Sequence, residues 1–333
     1  MISHSSKYTQ RWLQFLILLI LIMILVGGVT RLTRSGLSIV EWKPITGILP
    51  PLSDNAWHDE FSKYQNSPEY QQVNKHFELN DYQKIFFWEY LHRLLGRLIF
   101  LFAIVPGVYF WYKKQIKGSF TIILPALIGL QGLIGWIMVR SGLYHRPSVS
   151  HYLLALHFFT ALSLAFYVLA NYSKIGQANL YYLPKKFKYH WWLFSGLLTI
   201  QIFWGCLVSG LKAGFASNTF PLMAKTFFPS TCLLFEPLWI NFLENPTAVH
   251  WAHRWIGISL FSYFLIYYFV IIKIDIAKEF LRQFRFVLVI LILQILLGIA
   301  TIVYSVPIPL AASHQLVAAI LACFCFRICW QIR

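Results

Sequence analysis

The chain has 333 residues, 58% of them apolar and 12% charged, about half the charged share of a soluble globular domain. That excludes an ordinary cytosolic domain, a disordered chain and a collagen-like fibre. The formal charge of +16 does not mark a nucleic-acid surface. The basic residues stand in short clusters between long apolar runs, which is the pattern of membrane topology.

About 20 apolar residues cross the hydrocarbon core as a helix. Trp12 to Thr30 is the first such run. It is too long for a signal-peptide core, and Gly27-Gly-Val-Thr-Arg-Leu-Thr-Arg34 is no small-residue cleavage site. Residues 31–84 form a long loop with amphipathic helix signals: Ser53 as a cap before Trp57, Phe61 and Tyr64, Ser67-Pro68 as a second start, and Asn80-x-x-Gln83 as a capping box. The next spans are Ile85 to Tyr112, Gly118 to Val139, Val149 to Ser173 and Tyr189 to Leu211. After a second long loop, 212–246, come Thr247 to Ile272, Phe286 to Tyr304 and Ala311 to Phe326. The sequence therefore predicts an all-α integral membrane protein of eight spans. The five cysteines contain no C-x-x-C pair, so neither a disulfide framework nor a zinc site is expected. Cys323, Cys325 and Cys329 read as lipid-facing or packing residues.

The connections set the orientation. One side carries Lys7, Arg11, Lys113, Lys114, Lys117, Lys174 and Lys185 to Lys188, then Lys273, Lys278, Arg282, Arg285, Arg327 and Arg333, against Asp275 and Glu279 alone. The other side mixes the two signs almost evenly. The positive-inside rule places both termini in the cytoplasm. Met1 to Gln10 does not read as a transit peptide, so a bacterial inner membrane is expected rather than a mitochondrial one.

The sequence also repeats itself. Glu89-Tyr-Leu-His92-Arg93-Leu-Leu-Gly96 returns as His250-Trp-Ala-His253-Arg254-Trp-Ile-Gly257. Gln131-x-x-x-Gly135 returns as Gln294-x-x-x-Gly298, His157 as His314, and Gly27, Arg34 and Gly36 as Gly205, Lys212 and Gly214. Ordered matches at similar spacings predict two tandem four-helix bundles, 1–173 and 174–333. An even number of spans gives the halves one orientation and a pseudo-twofold axis along the membrane normal.

Ionisable residues inside a bilayer are costly and usually mark a function. Here they are Glu89, His92, Arg93, Arg97, His157, His250, His253, Arg254 and His314. At 1.5 Å per residue, His92, His157, His253 and His314 all lie roughly 5–12 Å below the outer surface. Each half thus holds two histidines at one depth on two helices. A lone membrane histidine is more often a helix-packing partner. Four, paired by repeat and by depth, point to haem iron between facing imidazoles. Zinc fits less well, because no thiolate or carboxylate completes either pair. Glu89 shares a helix face with His92 and reads either as a proton-handling group or as an ion-pair partner of Arg93. Its counterpart His250 has no carboxyl. The first half is therefore expected to do chemistry and the second to hold electrons. Arg93 and Arg254 read as propionate contacts or as helix-orienting groups. His151 reads as structural, and His4, His58, His76, His145 and His190 need no functional role.

Gly27 to Ser38, Glu41-Trp-Lys-Pro-Ile-Thr-Gly-Ile-Leu-Pro-Pro51, Glu89 to Arg93, Gly135 to Gly142, Asn218 to Met223 and His253-Arg254 together resemble the haem A synthase family. The first loop, with Ser67-Pro-Glu-Tyr70, is similar to its proteobacterial and mitochondrial branch. The resemblance implies an eight-helix oxidoreductase that converts the C8 methyl of haem O to a formyl group. Two hydroxylations give a geminal diol, which loses water. It also implies that His92 and His157 hold the substrate haem, that His253 and His314 ligate a haem b cofactor, and that Glu89 is the catalytic acidic residue. Implied partners are haem O, haem O synthase, an electron-transfer partner, membrane lipid and a second copy in a homo-oligomer, with no nucleic acid. Some members carry a cysteine pair in the first outer loop, whereas residues 31–84 contain none. A thiol mechanism in that loop is not expected here. A dihaem cytochrome b that only carries electrons, and a haem transporter, are the alternative readings.

Overall fold

The computed structural model describes residues 4–144, 147–176, 179–274 and 278–332; Met1, His145, Asp275 and Arg333, weighed above, lie outside them. The described residues form α1 (His4–Leu32), α2 (Asp54–Gln65), α3 (Pro68–Gln72), α4 (Leu79–Tyr112), α5 (Gly118–Leu143) and α6 (His151–Ile175). They continue with α7 (Lys185–Gly210), α8 (Asn241–Glu244), α9 (Pro246–Ile271), α10 (Lys278–Val303) and α11 (Ile308–Gln331). Eight of these (α1, α4 to α7 and α9 to α11) are long and apolar enough to cross a membrane. No strand occurs among the described residues, only isolated bridges such as Tyr181 to Ile332. The protein is an all-α, multi-pass membrane protein.

The helices outrun the apolar runs. α4 begins at Leu79 instead of Ile85, and α10 at Lys278 instead of Phe286, because the backbone ladder continues through polar residues beyond the hydrocarbon. In the first long loop, Ser53 caps α2 by accepting the Ala56 amide at 3.3 Å. Ser67 caps α3 through the Tyr70 amide at 3.3 Å, with Pro68 in the first turn. The capping box expected at Asn80 and Gln83 is formed instead by Glu78 and Asp81. The Asp81 carboxylate accepts the Glu78 amide at 3.4 Å, two residues upstream of the expected pair. Asn80 is already helical, and the dipole favours carboxylates at that end.

Phe61, Tyr64, Tyr82, Ile85 and Phe86 make a small buried core in which Tyr64 stacks on Tyr82 with ring centres 5.1 Å apart. It fixes α2 to the first turns of α4. Packing divides the chain into two compact units, one ending at Leu164 and the other starting at Ala165, inside α6. In the first, α4 packs on α1 and α5; in the second, α9 packs on α7 and α10, and α11 on α10 and α7. Cys323 and Cys325 are buried in α11 and Cys329 is half-buried, so these thiols are packing residues.

Candidate functional site

Each of the four histidines sits against a glycine of the preceding span. A Cβ built on Gly27 of α1 would stand 3.0 Å from His92 Cε1, and one on Gly135 of α5 would stand 2.9 Å from His157 Cε1. In the second unit the corresponding distances are 3.2 Å from Gly205 to His253 and 2.9 Å from Gly298 to His314. Only a residue without a side chain lets an imidazole lie this close to a neighbouring helix. The sequence carried these glycines as repeat markers; their role as seats emerges only from the packing.

A glutamine one turn before three of these glycines completes the seat. Gln131 Nε2 donates to the His157 carbonyl at 2.9 Å, while its Oε1 accepts from Thr160. Gln201 Nε2 donates to the His253 carbonyl at 3.0 Å. Gln294 places its Nε2 3.3 Å from His314 Nε2. His314 Nδ1 lies 3.0 Å from the Gln294 backbone carbonyl, which can only accept, so Nδ1 carries the proton and Nε2 presents its lone pair. The missing Cβ of Gly298 exposes that carbonyl, since the two residues are hydrogen-bonded along the helix. Gln201 went unread in the sequence, although Gln201-x-x-x-Gly205 repeats the spacing of Gln131 and Gln294.

The His253 and His314 rings stand 6.5 Å apart, centre to centre, at 87°. Two imidazoles sharing one metal are separated by two bonds of about 2 Å each plus the depth of each ring, so the separation of this pair matches a metal shared between them. His92, His157 and His253 each keep a buried Nδ1 with no hydrogen-bond partner among the described residues. No three His, Cys, Asp or Glu residues gather into a metal-ligand set among the described residues.

Glu89 is buried and faces the first long loop. Its Oε2 accepts from Ser38 Oγ and from the Ile39 amide, both at 2.8 Å. Its Oε1 pairs with Arg93 Nη2 at 2.7 Å. Arg93 also donates to the carbonyls of Glu41 and Ile39, both at 2.9 Å. Arg97, one turn further along the helix, holds those of Pro44 and Lys43, both at 2.8 Å. In the second unit Arg254 donates to the carbonyls of Pro221 and Leu222 at 2.8 and 3.0 Å, and lies 3.3 Å from His250 Nε2. All three arginines thus hold loop backbone. The loop ends of these bonds, Ser38 above all, could not be found from sequence because the partners lie about 50 residues apart and share no pattern.

Residues 10–326 match the COX15-CtaA cytochrome oxidase assembly protein family. The chain belongs to this family. Among its relatives, the haem A synthase of Bartonella henselae is 40% identical over 96% of this chain and 91% of its own length. That of Rickettsia felis is 40% identical over 93% of this chain and 94% of its own. The Nitrosomonas eutropha haem A synthase is 39% identical, covering 98% and 96%.

Proposed function

We propose that this protein is a haem A synthase, an oxidoreductase of the bacterial inner membrane with both termini in the cytoplasm. It converts the C8 methyl of haem O to a formyl group by successive hydroxylations, giving haem A for terminal oxidase assembly. The observation that carries this reading is one construction repeated four times: a membrane histidine seated on a glycine of the preceding span, two in each unit.

His253 and His314 would hold a haem b cofactor, for which their spacing and the fixed tautomer of His314 are suited. When bound, that haem supplies an iron centre that takes and gives single electrons. His92 and His157 receive haem O in the amino-terminal half, 1–173, and the carboxy-terminal half, 174–333, keeps the cofactor. Arg93 and Arg254 put positive charge within one turn of the histidines, where they would be available to haem propionates. Glu89 is the acidic residue of the substrate half. Both its oxygens are engaged, so a proton taken up at either one displaces a contact to Ser38, Ile39 or Arg93 and couples proton movement to the first loop. Haem O synthase supplies the substrate, and an electron-transfer partner accepts the electrons.

The test is pigment extraction from cells expressing the protein with and without a haem O synthase. Haem A that appears only when haem O is made supports the assignment. Two retained b-type haems with no formylated product would identify a dihaem electron carrier instead.

A further inference from the structure

Segment 42–52 of the first long loop has an unusual surface. Ile45 and Leu52 are each 78% exposed and Leu49 is 69% exposed, with Trp42 and Ile48 about half exposed beside them. Scattered exposed apolar residues are ordinary, but a contiguous patch marks a binding surface. The position of this segment along two helices identifies what covers it.

α4 ends at Tyr112, followed by Lys113 and Lys114, which sets one membrane boundary. About 30 Å of hydrocarbon, or 20 helical residues, leads back to His92 and Arg93 at the other boundary, so His92 lies shallower than the apolar run from Ile85 implied. Arg97 then lies about 6–8 Å inside it, yet its guanidinium holds the Lys43 and Pro44 carbonyls. α5 gives the same level independently. From Gly118 to Trp136 is about 27 Å, and Trp42 packs on Trp136 with ring centres 6.0 Å apart. Both measures place the segment at the edge of the hydrocarbon, not in the solvent above it.

Its backbone is built for that place. The carbonyls of Ile39, Glu41, Lys43 and Pro44 are taken by Arg93 and Arg97, the Ile39 amide by Glu89, and the Ile48 carbonyl by Tyr90 at 2.6 Å. A solvated loop leaves such groups to water; irregular backbone at membrane depth needs protein partners. The second unit repeats the device. Arg254, about 25 Å along α9 from Ile271, holds the Pro221 and Leu222 carbonyls in a loop that exposes Phe227, Leu234 and Trp239.

We propose that segment 42–52 is an interfacial lipid anchor: Ile45, Leu49 and Leu52 insert into the acyl–headgroup boundary of the leaflet on the loop side, while the α4 side chains satisfy the backbone behind them. Lipid is the occupant because the patch continues the lipid-facing surface of α4 and α5 at the level where that surface ends. This inference does not depend on the reaction assigned above.

The experiment uses the full-length protein in proteoliposomes of phosphatidylcholine and phosphatidylglycerol. A nitroxide label is placed singly by Ile45→Cys, Leu49→Cys or, as a solvent reference, Asn66→Cys at the exposed end of α2. The unsubstituted protein, whose cysteines are buried or half-buried, is the blank. Collision with oxygen, which partitions into lipid, is compared with collision by a water-soluble nickel chelate. The expected result is an oxygen-to-nickel ratio several-fold higher at Ile45 and Leu49 than at Asn66. A ratio equal to that of Asn66 would show a solvated loop and overturn the proposal. Protection from both reagents would show a protein partner or second copy on the patch and would overturn it equally.

Discussion

Glu89 answers to two demands at once: it belongs to the helix that carries His92, and its carboxylate fastens the loop through Ser38 and Ile39. Glu89→Ala is expected to block or stall oxidation of haem O by about 10²–10⁴-fold, the range for a general acid or base, while the haem b spectrum of the second half stays nearly intact. Quantifying haem O, the hydroxylated intermediate and haem A in extracts checks this. Near-normal haem A at equal protein levels would make the carboxylate only a partner of Arg93. Ser38→Ala removes one of three donors, so the loop stays fastened through Arg93 and Arg97. His250→Ala should cost less product than Glu89→Ala, because Arg254 keeps both loop carbonyls without it. The ligand assignments have their own signature. His253→Ala or His314→Ala is expected to lose stably bound haem b, whereas His92→Ala abolishes product with most of that haem retained. An unchanged low-spin spectrum at full occupancy in either of the first two variants would remove that residue from the ligand set.

At the scale of helices, the glycine seats give a graded prediction. A Cβ at Gly298 would meet His314 at 2.9 Å and one at Gly205 would meet His253 at 3.2 Å, while one at Gly196 in α7 meets nothing within 4 Å. Overpacking of this kind typically costs about 1–3 kcal/mol. Haem b content after purification should therefore fall most in Gly298→Ala, less in Gly205→Ala and not at all in Gly196→Ala. Equal retention in all three would mean that the rings are not seated by these helices. The eight spans and the four histidines were legible because hydropathy runs and intramembrane charges are local signals. The seats were not, because a glycine inside an apolar run has no signature until the neighbouring helix is in place. The α4 capping box was misplaced by two residues because Asn80 and Glu78 both precede plausible partners, and only the backbone ladder chooses between them.

For the molecule as a whole, the division of labour proposed for the two halves would rest on small differences, of which Glu89 against His250 is the sharpest. The first loop is further tied by Glu41, Lys43, Glu60 and Lys63. Hydrogen bonds from Lys43, then Lys63, lower the Glu41 pKa, and Glu41 in turn raises that of Lys43 and of Lys63. A lowered carboxyl stabilises above its unfolded value of about 4.3 and stops doing so as pH falls through the folded one. A raised lysine stabilises below about 10.4 and stops as pH rises through its folded value. The network is thus complete from about pH 5 to 9, and its exposure keeps its contribution small. A nitroxide at Asn66 should show constant mobility across that window and loosen only outside it, in acid below or in strong alkali above. A mobility step at neutral pH would contradict this account.

Every glycine seat joins consecutive spans. Gly27 and His92 belong to the first and second, Gly135 and His157 to the third and fourth, Gly205 and His253 to the fifth and sixth, and Gly298 and His314 to the seventh and eighth. The glycine always precedes its histidine in the chain. A membrane protein is made from its amino terminus onward, so each seat can close as soon as one hairpin of spans has entered the bilayer, without waiting for distant parts of the chain. This order would make biogenesis modular: four hairpins inserted in turn, each with its imidazole already oriented, and the histidines brought together as hairpins pair. A ribosome-bound chain arrested after the fourth span should already hold both histidines of the first unit in their seats, before any of the second has been translated.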